Sequence, residues 1–437
     1  MIRKALCAVV IAASVLPLSA MPSQAAAAPQ YRALWVDAFH PGIKSAAQIE
    51  KLVTDAKRAN VNTLIVQVRK RGDAYFNKSI EPRASDIQGP IDFDPLDYLL
   101  RLAHSSTPRI EVHAWVNVYF TGESSLVYSL HGSVWGNKAN DGVGSGFLDP
   151  GVPEVAIYTH RVFMDLVRNY DIDGLHLDYV RYPGVTWGYN NSAIELYKLQ
   201  TGVTRTPGPA DPTWQAWRRA RATNFVRDLK HDLELEKPSV KLSAALICYG
   251  GGPFDWGGWV YTSAYSGVFQ DWRTWLTKGY LDFGVPMNYD SDWNPQQKEW
   301  FDRWMSFDKD NGFGSRVVVG VGAFLNYPEN TLAQIRRALS ASTGGNRVLG
   351  VAIYSYGSTS VYGSDDFYGN EDLAGGLPRQ PYAGGITDQP GLVARAHSFN
   401  DQFMNQLSRV SSYRDVQLGM VSTQPVFTQP APVPGSL

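Results

Sequence analysis

The stretch DIDGLHLDYVRYP, residues 171–183, decides the reading of the fold. Its centre alternates Gly174, Leu175, His176, Leu177, Asp178, the period of a β-strand. Leu175 and Leu177 face one side; Gly174, His176 and Asp178 face the other. An imidazole and a carboxylate on an interior face need either internal partners or a ligand. The same pattern recurs along the chain. RALWVDAF (32–39), VNTLIVQVR (61–69) and IEVHAWVNVY (110–119) precede this strand, and VKLSAALIC (240–248), YLDFGVPMNYD (280–290), RVVVGVGAF (316–324) and RVLGVAIYSYG (347–357) follow it.

Helical segments separate these strands. They are expected over 45–60, with Ser45 as N-cap, and over 95–104, and a further helix opens near Pro153, with Asp149 expected to cap it. Others are expected over 213–236, 295–310, 329–342 and 391–410. Eight strand–helix pairs predict an α/β fold, a (β/α)8 TIM barrel with long βα loops at its C-terminal face. A doubly wound open sheet is the rival, but no glycine-rich nucleotide loop follows the first strand. The extra length falls after strands three, four and five, as long polar or Gly/Trp-rich loops.

The 437 residues carry a formal net charge of −1 without a block of like charge, which gives no electrostatic case for nucleic acid or an anionic membrane surface. Arg3 and Lys4 precede an apolar run to Met21 and the small-residue stretch SQAAAA. This pattern predicts a signal peptide over 1–25, export to the cell envelope or beyond, and no stable membrane insertion. Cys7 falls in that segment, so Cys248 alone would remain and no intramolecular disulfide is expected. The predicted domain spans 30–415, and the Pro-rich end, 416–437, reads as a disordered tail. The sequence is silent on oligomeric state. The 13 Trp and 23 Tyr suit a carbohydrate cleft as well as an ordinary large core.

In a barrel, inward residues near the strand C-termini carry the chemistry. They are Trp35 and Asp37 on strand one, Gln67 and Arg69 on strand two, His113, Trp115 and Asn117 on strand three, and His176 and Asp178 on strand four. Strand six is expected to contribute Pro286, Asn288 and Asp290. Burying so many polar groups unpaired would cost on the order of 1–3 kcal/mol each. They therefore pair with one another or meet a ligand.

LDPGVPEVAIYTHRVFMDLVRNYDIDGLHLDYVRYP (148–183) resembles the signature of the bacterial glycosyl hydrolase-like 10 family, and RALWVDAF, NTLIVQVRKRGDAYF and EVHAWVNVY resemble its first three strands. The resemblance covers about residues 31–357. It implies an exported barrel glycosidase acting on peptidoglycan glycan strands stripped of peptide; no cofactor and no metal are expected. By the match of HLD to related barrel glycosidases, Asp178 is expected as nucleophile or ionised stabiliser.

Glycoside hydrolysis needs a second carboxyl group. SAALICYG (243–250) lacks the Glu that an amylase-like strand five would supply. Asp290 is the first candidate acid, Asp37 the second and Asp73 the third. His176 is expected to bind a sugar hydroxyl, to orient Asp178, or to be a satisfied interior residue. Arg69 and Arg71 are candidates for a substrate carboxylate such as a lactyl ether, or for ion pairs with Asp37 or Asp73. Arg181 is a candidate partner of Asp178. Asp73, His113, Trp115, Asn117, Arg181, Tyr182, Asn288, Tyr289 and Tyr354 join the substrate-binding set. Trp187, Tyr189, Trp256, Trp259 and Trp293 are loop aromatics suited to stack on sugar rings or to pack the loops. Two other function classes stay open: a glycan-binding barrel without its acid, and a metal-dependent hydrolase built on His113, His176 and Asp178.

Overall fold

The computed structural model describes residues 30–359. The chain begins with β1 (Tyr31–Val36), α1 (Ala46–Arg58), β2 (Thr63–Arg69), α2 (Pro95–His104) and β3 (Glu111–Asn117). Next come α3 (Leu126–Trp135), β4 (Gly136–Lys138), β5 (Gly144–Leu148), α4 (Pro153–Asn169) and β6 (Gly174–Asp178). Then α5 (Asn191–Thr201), α6 (Pro212–Glu236), β7 (Lys241–Leu246), α7 (Gly252–Trp256), α8 (Trp272–Thr277) and β8 (Phe283–Asn288) follow. The last are α9 (Pro295–Asp310), β9 (Val318–Gly322), α10 (Pro328–Leu339) and β10 (Gly350–Tyr354). Eight parallel strands close in the order β1-β10-β9-β8-β7-β6-β3-β2, a (β/α)8 barrel, while β4 and β5 form a separate antiparallel hairpin. The predicted signal segment, the helix over 391–410 and the Pro-rich tail lie outside the described residues. Among the described residues no helix is long and apolar enough to cross a membrane.

The strands alternate as their sequences require. Leu34, Val36, Leu64, Val66, Val112, Ala114, Leu175, Leu177 and Ile353 pack outward with the helices in one core. Tyr31, Ala33, Trp35, Ile65, Trp115, Phe283, Val285, Val318 and Ala352 fill the barrel itself. Ser45 caps α1 as expected, its hydroxyl accepting from the Gln48 amide. The loop expected after strand three holds α3 and the β4–β5 hairpin. The loop after strand four holds α5, whose cap is Asn190.

Asp149 does not cap α4. The N-cap there is Val152, with no side-chain bond. Asp149 instead accepts from the Gly151 amide at 2.8 Å and the Asn190 amide at 3.4 Å, joining the third βα loop to the fourth. Full burial pushes its carboxyl up to about 7.

Gly174 has a packing reason. A Cβ there would stand 2.6 Å from Cε1 of the His113 ring, and Gly320 likewise leaves room for the Trp35 indole, 3.0 Å from where its Cβ would be. We expect Gly174→Ala to cost about 1–3 kcal/mol through overpacking of this layer, measured by urea unfolding; unchanged stability would show that His113 can be displaced freely.

Candidate active site

Asp178 ends β6 and is 7% exposed. Its Oδ1 accepts from the Tyr179 amide at 2.6 Å and from Arg181 Nη1 at 3.2 Å. Burial raises the carboxyl above its ordinary range, and Arg181, the Tyr179 amide and the nearby Trp115 indole pull the other way. The chain turns sharply to supply these donors: Tyr179 has φ +52°, a left-handed conformation that costs a non-glycine residue about 1–3 kcal/mol. The Tyr179 ring stacks on Phe120 at 5.2 Å and meets Phe147 edge-on at 5.8 Å. Arg181 lies 4.3 Å over the same ring. An aromatic wall thus holds the guanidinium against the carboxylate. Tyr179, Phe120 and Phe147 escaped the sequence reading; the available signal was Tyr179's place directly after the strand-end acid.

Beside this corner lies an aromatic floor. Trp35 meets Tyr289 at 6.1 Å and Tyr354 at 5.9 Å, Tyr289 and Tyr354 lie 5.4 Å apart, and Trp115 meets Tyr354 at 6.3 Å. His176 belongs to this floor's support. Trp35 Nε1 donates to His176 Nε2 at 3.3 Å, which leaves the ring proton on Nδ1 to be donated to Ser243 Oγ at 2.9 Å. Full burial holds the ring well below its ordinary pKa, so it is neutral. Both nitrogens are used away from Asp178.

Other predicted residues are placed elsewhere. Arg69 forms a two-pronged ion pair with Glu81, both bonds 2.6 Å, and also donates to the Asn117 carbonyl. The cause is a bulge: Gln67 pairs with Trp115 but Arg69 pairs with Val116, so one residue is skipped and Arg69 turns outward, 5.8 Å from the Phe163 ring of α4. Gln67 stays inside, donating to Asn117 Oδ1 at 3.3 Å, while Asn117 Nδ2 donates to the Lys70 carbonyl. Asp73 accepts from the Lys70 and Arg71 amides and shapes that turn. Arg71 is exposed, 5.3 Å over the Phe39 ring. His113 is deep in the barrel, paired with Glu111 at 3.2 Å.

Asp37 accepts from the Phe39 and His40 amides at 2.9 Å and pairs with His40 Nδ1 at 2.8 Å. Burial works against its charge, but the His40 contacts and the Ser355 hydroxyl prevail and hold the carboxyl below its usual range. On β8 the expected phase is reversed. Phe283 and Val285 face inward, while Asn288 sits beside Asp308 of α9. Asp290 shares that side: with Asp308 it raises the buried Cys248 thiol. Tyr182 is fully buried, edge-on to Phe269. Trp259 packs beneath the fifth βα loop, and Trp293 donates to the Leu325 carbonyl. Tyr189 packs on Trp214, Trp187 is half-buried, and Trp256 is exposed. Among the described residues no group of three or more His, Cys, Asp or Glu is placed to hold a metal ion.

The model of the family described as glycosyl hydrolase-like 10 matches residues 30–312. The chain belongs to this family. Curated relatives include "Glycosyl hydrolase YngK" of Bacillus subtilis (strain 168), 25% identical over 252 residues, covering 55% of this chain and 48% of that one. "Glycosyl hydrolase DigH" of Escherichia coli (strain K12) is 26% identical over 283 residues, covering 56% of this chain and 58% of that one. The chain thus matches about half of each relative's length. Among solved structures, the PgaB (BpsB) glycoside hydrolase domain from Bordetella bronchiseptica superposes with TM-score 0.56 at 16% identity, covering 80% of this chain and 98% of that one. The α-L-fucosidase isoenzyme 2 from Paenibacillus thiaminolyticus gives TM-score 0.52 at 13% identity, over 75% and 46% of the two chains. These two likenesses concern the barrel fold, which this family member shares with glycoside hydrolases.

Burial pushes Asp290 up to about 8 from an ordinary value near 3.8. Below pH 4 folded and unfolded chains both hold this proton; between pH 4 and 8 only the folded chain does, so stability falls as pH rises through that window. Asp290→Asn is expected to raise Tm at pH 8.5, by roughly 2 °C for each kcal/mol of relieved burial cost, and to change it little at pH 4. A thermal melt series with the same shift at both pH values would contradict this.

Proposed function

We propose that this family member is an exported glycoside hydrolase acting on bacterial envelope glycan, with peptide-free peptidoglycan strands as substrate and Asp178 as the carboxylate at the scissile bond. The observation that carries the reading is Asp178 itself, buried at a strand's C-terminal end, bound by Arg181 and set beside an aromatic floor. In so dry a site an ionised carboxylate stabilises positive charge developing on a sugar ring far better than it would in water. Tyr289 and Tyr354, both half-buried, offer ring surface for sugar contact, with Trp35 and Trp115 buried against them as support. Export rests on the charged and then apolar N-terminal run, and the wall substrate on the family resemblance. Arg71 is the exposed cation suited to a substrate carboxylate, since Arg69 is committed to Glu81.

The proton donor must be protonated near neutral pH. Asp290 meets that condition, its carboxyl being raised to about 8, but faces the Cys248 side of β8. Asp37 ends an inward phase of β1 but is held ionised by His40. The placement of Asp290 on the Cys248 side and the hold of His40 on Asp37 favour the second reading, a glycan-binding barrel without hydrolysis. One assay separates the two: purified protein with peptide-free glycan strands, scored for new reducing ends.

We expect product from the wild type and none from Asp178→Asn, whose circular dichroism and melting should stay native. Near-normal turnover by Asp178→Asn would refute its role, and no product from the wild type would leave the binding reading. Arg181 is a positioning residue in this scheme. Removing its charge in Arg181→Gln leaves burial to raise Asp178 further, moving the acidic limb of the kcat/KM profile upward by about one pH unit or more, with Arg181→Lys restoring part of the shift. An unmoved limb would exclude Asp178 as the group titrating there.

A further inference from the structure

The loop after β7 exposes rings that a folded chain would ordinarily bury. Tyr249 and Trp256 are each 53% exposed, and Phe254 and Tyr261 are each 63% exposed. Leaving a large apolar side chain in water forgoes about 1.5–3 kcal/mol. The loop is not loose. Trp304 Nε1 donates to the Gly250 carbonyl at 2.7 Å, and the Trp304 ring lies beneath Gly252, 2.7 Å from where a Cβ would be. Trp259 anchors the next turn, stacked on Phe307 and donating to Asp271 at 2.9 Å. Gly250, Gly252, Gly257 and Gly258 all have positive φ, so the backbone bends tightly where it presents the rings. The segment is a rigid scaffold with its aromatic faces turned out.

Its position links it to Asp178. β7 pairs in parallel with β6, so the loop after β7 leaves the barrel rim next to the strand end that carries Asp178, and the Tyr249 phenol lies within electrostatic reach of Arg181, the partner of Asp178. Trp256 comes next, its indole Nε1 3.7 Å from where a Cβ on Gly250 would stand. Beyond it, Phe254 and Pro295 border an open groove of about 670 Å³ that is also lined by Lys298, Glu299, Asp302 and Arg303. Flat rings beside mixed-charge hydrogen-bonding groups suit a hydroxyl-rich chain.

We infer that Tyr249 and Trp256 form an aromatic track that leads from the Asp178 corner along the fifth βα loop and binds successive sugars of a polymeric glycan. This inference rests on the proposed glycosidase reading, which it deepens: the enzyme takes long chains and acts within them rather than trimming single sugars.

The test uses Tyr249→Ala, Trp256→Ala and the double variant, each checked for native melting, with peptide-free peptidoglycan strands and their free disaccharide unit as probes. Binding is measured by calorimetry in the Asp178→Asn background, so the result stands whether or not the wild type hydrolyses the strands. Long strands are expected to bind at least about tenfold more tightly than the disaccharide, a preference of about 1.4 kcal/mol or more, and the double variant should lose most of it. In active protein, the ratio of kcat/KM on strands to that on short fragments should fall in parallel. Equal affinity for strands and disaccharide, or a length preference untouched by the double variant, would overturn the track. So would concentration-dependent dimerisation abolished by the same substitutions without any effect on glycan, since the rings would then serve a second copy of the chain.

Discussion

Closure of the sheet between β1 and β10 constrains everything inside it. Tyr31 to Leu34 pair in parallel with Gly350 to Ile353, and the ring of strands then has no edge. A closed ring has fixed interior volume, so residues compete for space layer by layer. At the lower end the Tyr31 ring, His113 and Phe283 occupy it, with Lys241 donating to the Tyr31 hydroxyl at 2.6 Å. Gly174, the direct cross-strand partner of His113, yields its side-chain volume to that ring. Trp35 and His176 then fill the middle, and the Tyr289 and Tyr354 rings complete the aromatic floor above them, with Asp178 at its side. The chemistry is confined to the top because the lower layers are already full.

The same crowding dictates how interior polar groups are satisfied. His176 stays neutral between an indole donor and a hydroxyl acceptor, which avoids a buried charge. Arg69 keeps its charge but leaves the interior by the β2 bulge and finds Glu81, with Tyr158 also donating to that carboxylate. Asp37 is bound by two amides and an imidazole. Each is thereby committed to the scaffold. Asp178 is less completely committed: its described bonds fall on Oδ1 alone, from one amide and one guanidinium.

The barrel was readable because strand alternation and helix punctuation repeat eight times, and caps such as Ser45 mark the boundaries chemically. The inward phase of β6 was readable for a local reason: Leu175 and Leu177 differ so sharply from His176 and Asp178 that only one face can be apolar. On β8 no such contrast exists. Phe283, Val285 and Met287 alternate with Gly284, Pro286 and Asn288, and most of both faces is buried, so polarity pointed to the wrong side. The β2 bulge left no mark in composition either, yet one skipped residue moved Arg69 from the mouth to the helix layer. Asp149 was misread because a Pro-led helix suggests a nearby cap, whereas the Gly151 and Asn190 amides were the available donors. The left-handed Tyr179 could not be read at all, since it depends on Phe120 and Phe147 from distant loops.

That turn at Tyr179 ties the fold to the proposed chemistry. A tyrosine in the left-handed region costs energy that the local sequence does not return, so its stacking on Phe120 and Phe147 must hold it. The turn brings the Tyr179 amide onto Asp178 while its ring supports Arg181 from below. Both are groups that favour the ionised carboxylate against a burial that opposes it. Straightening the turn would remove the amide donor and the guanidinium's support together, leaving burial to raise the Asp178 carboxyl further. The strain is therefore coupled to the charge state of Asp178.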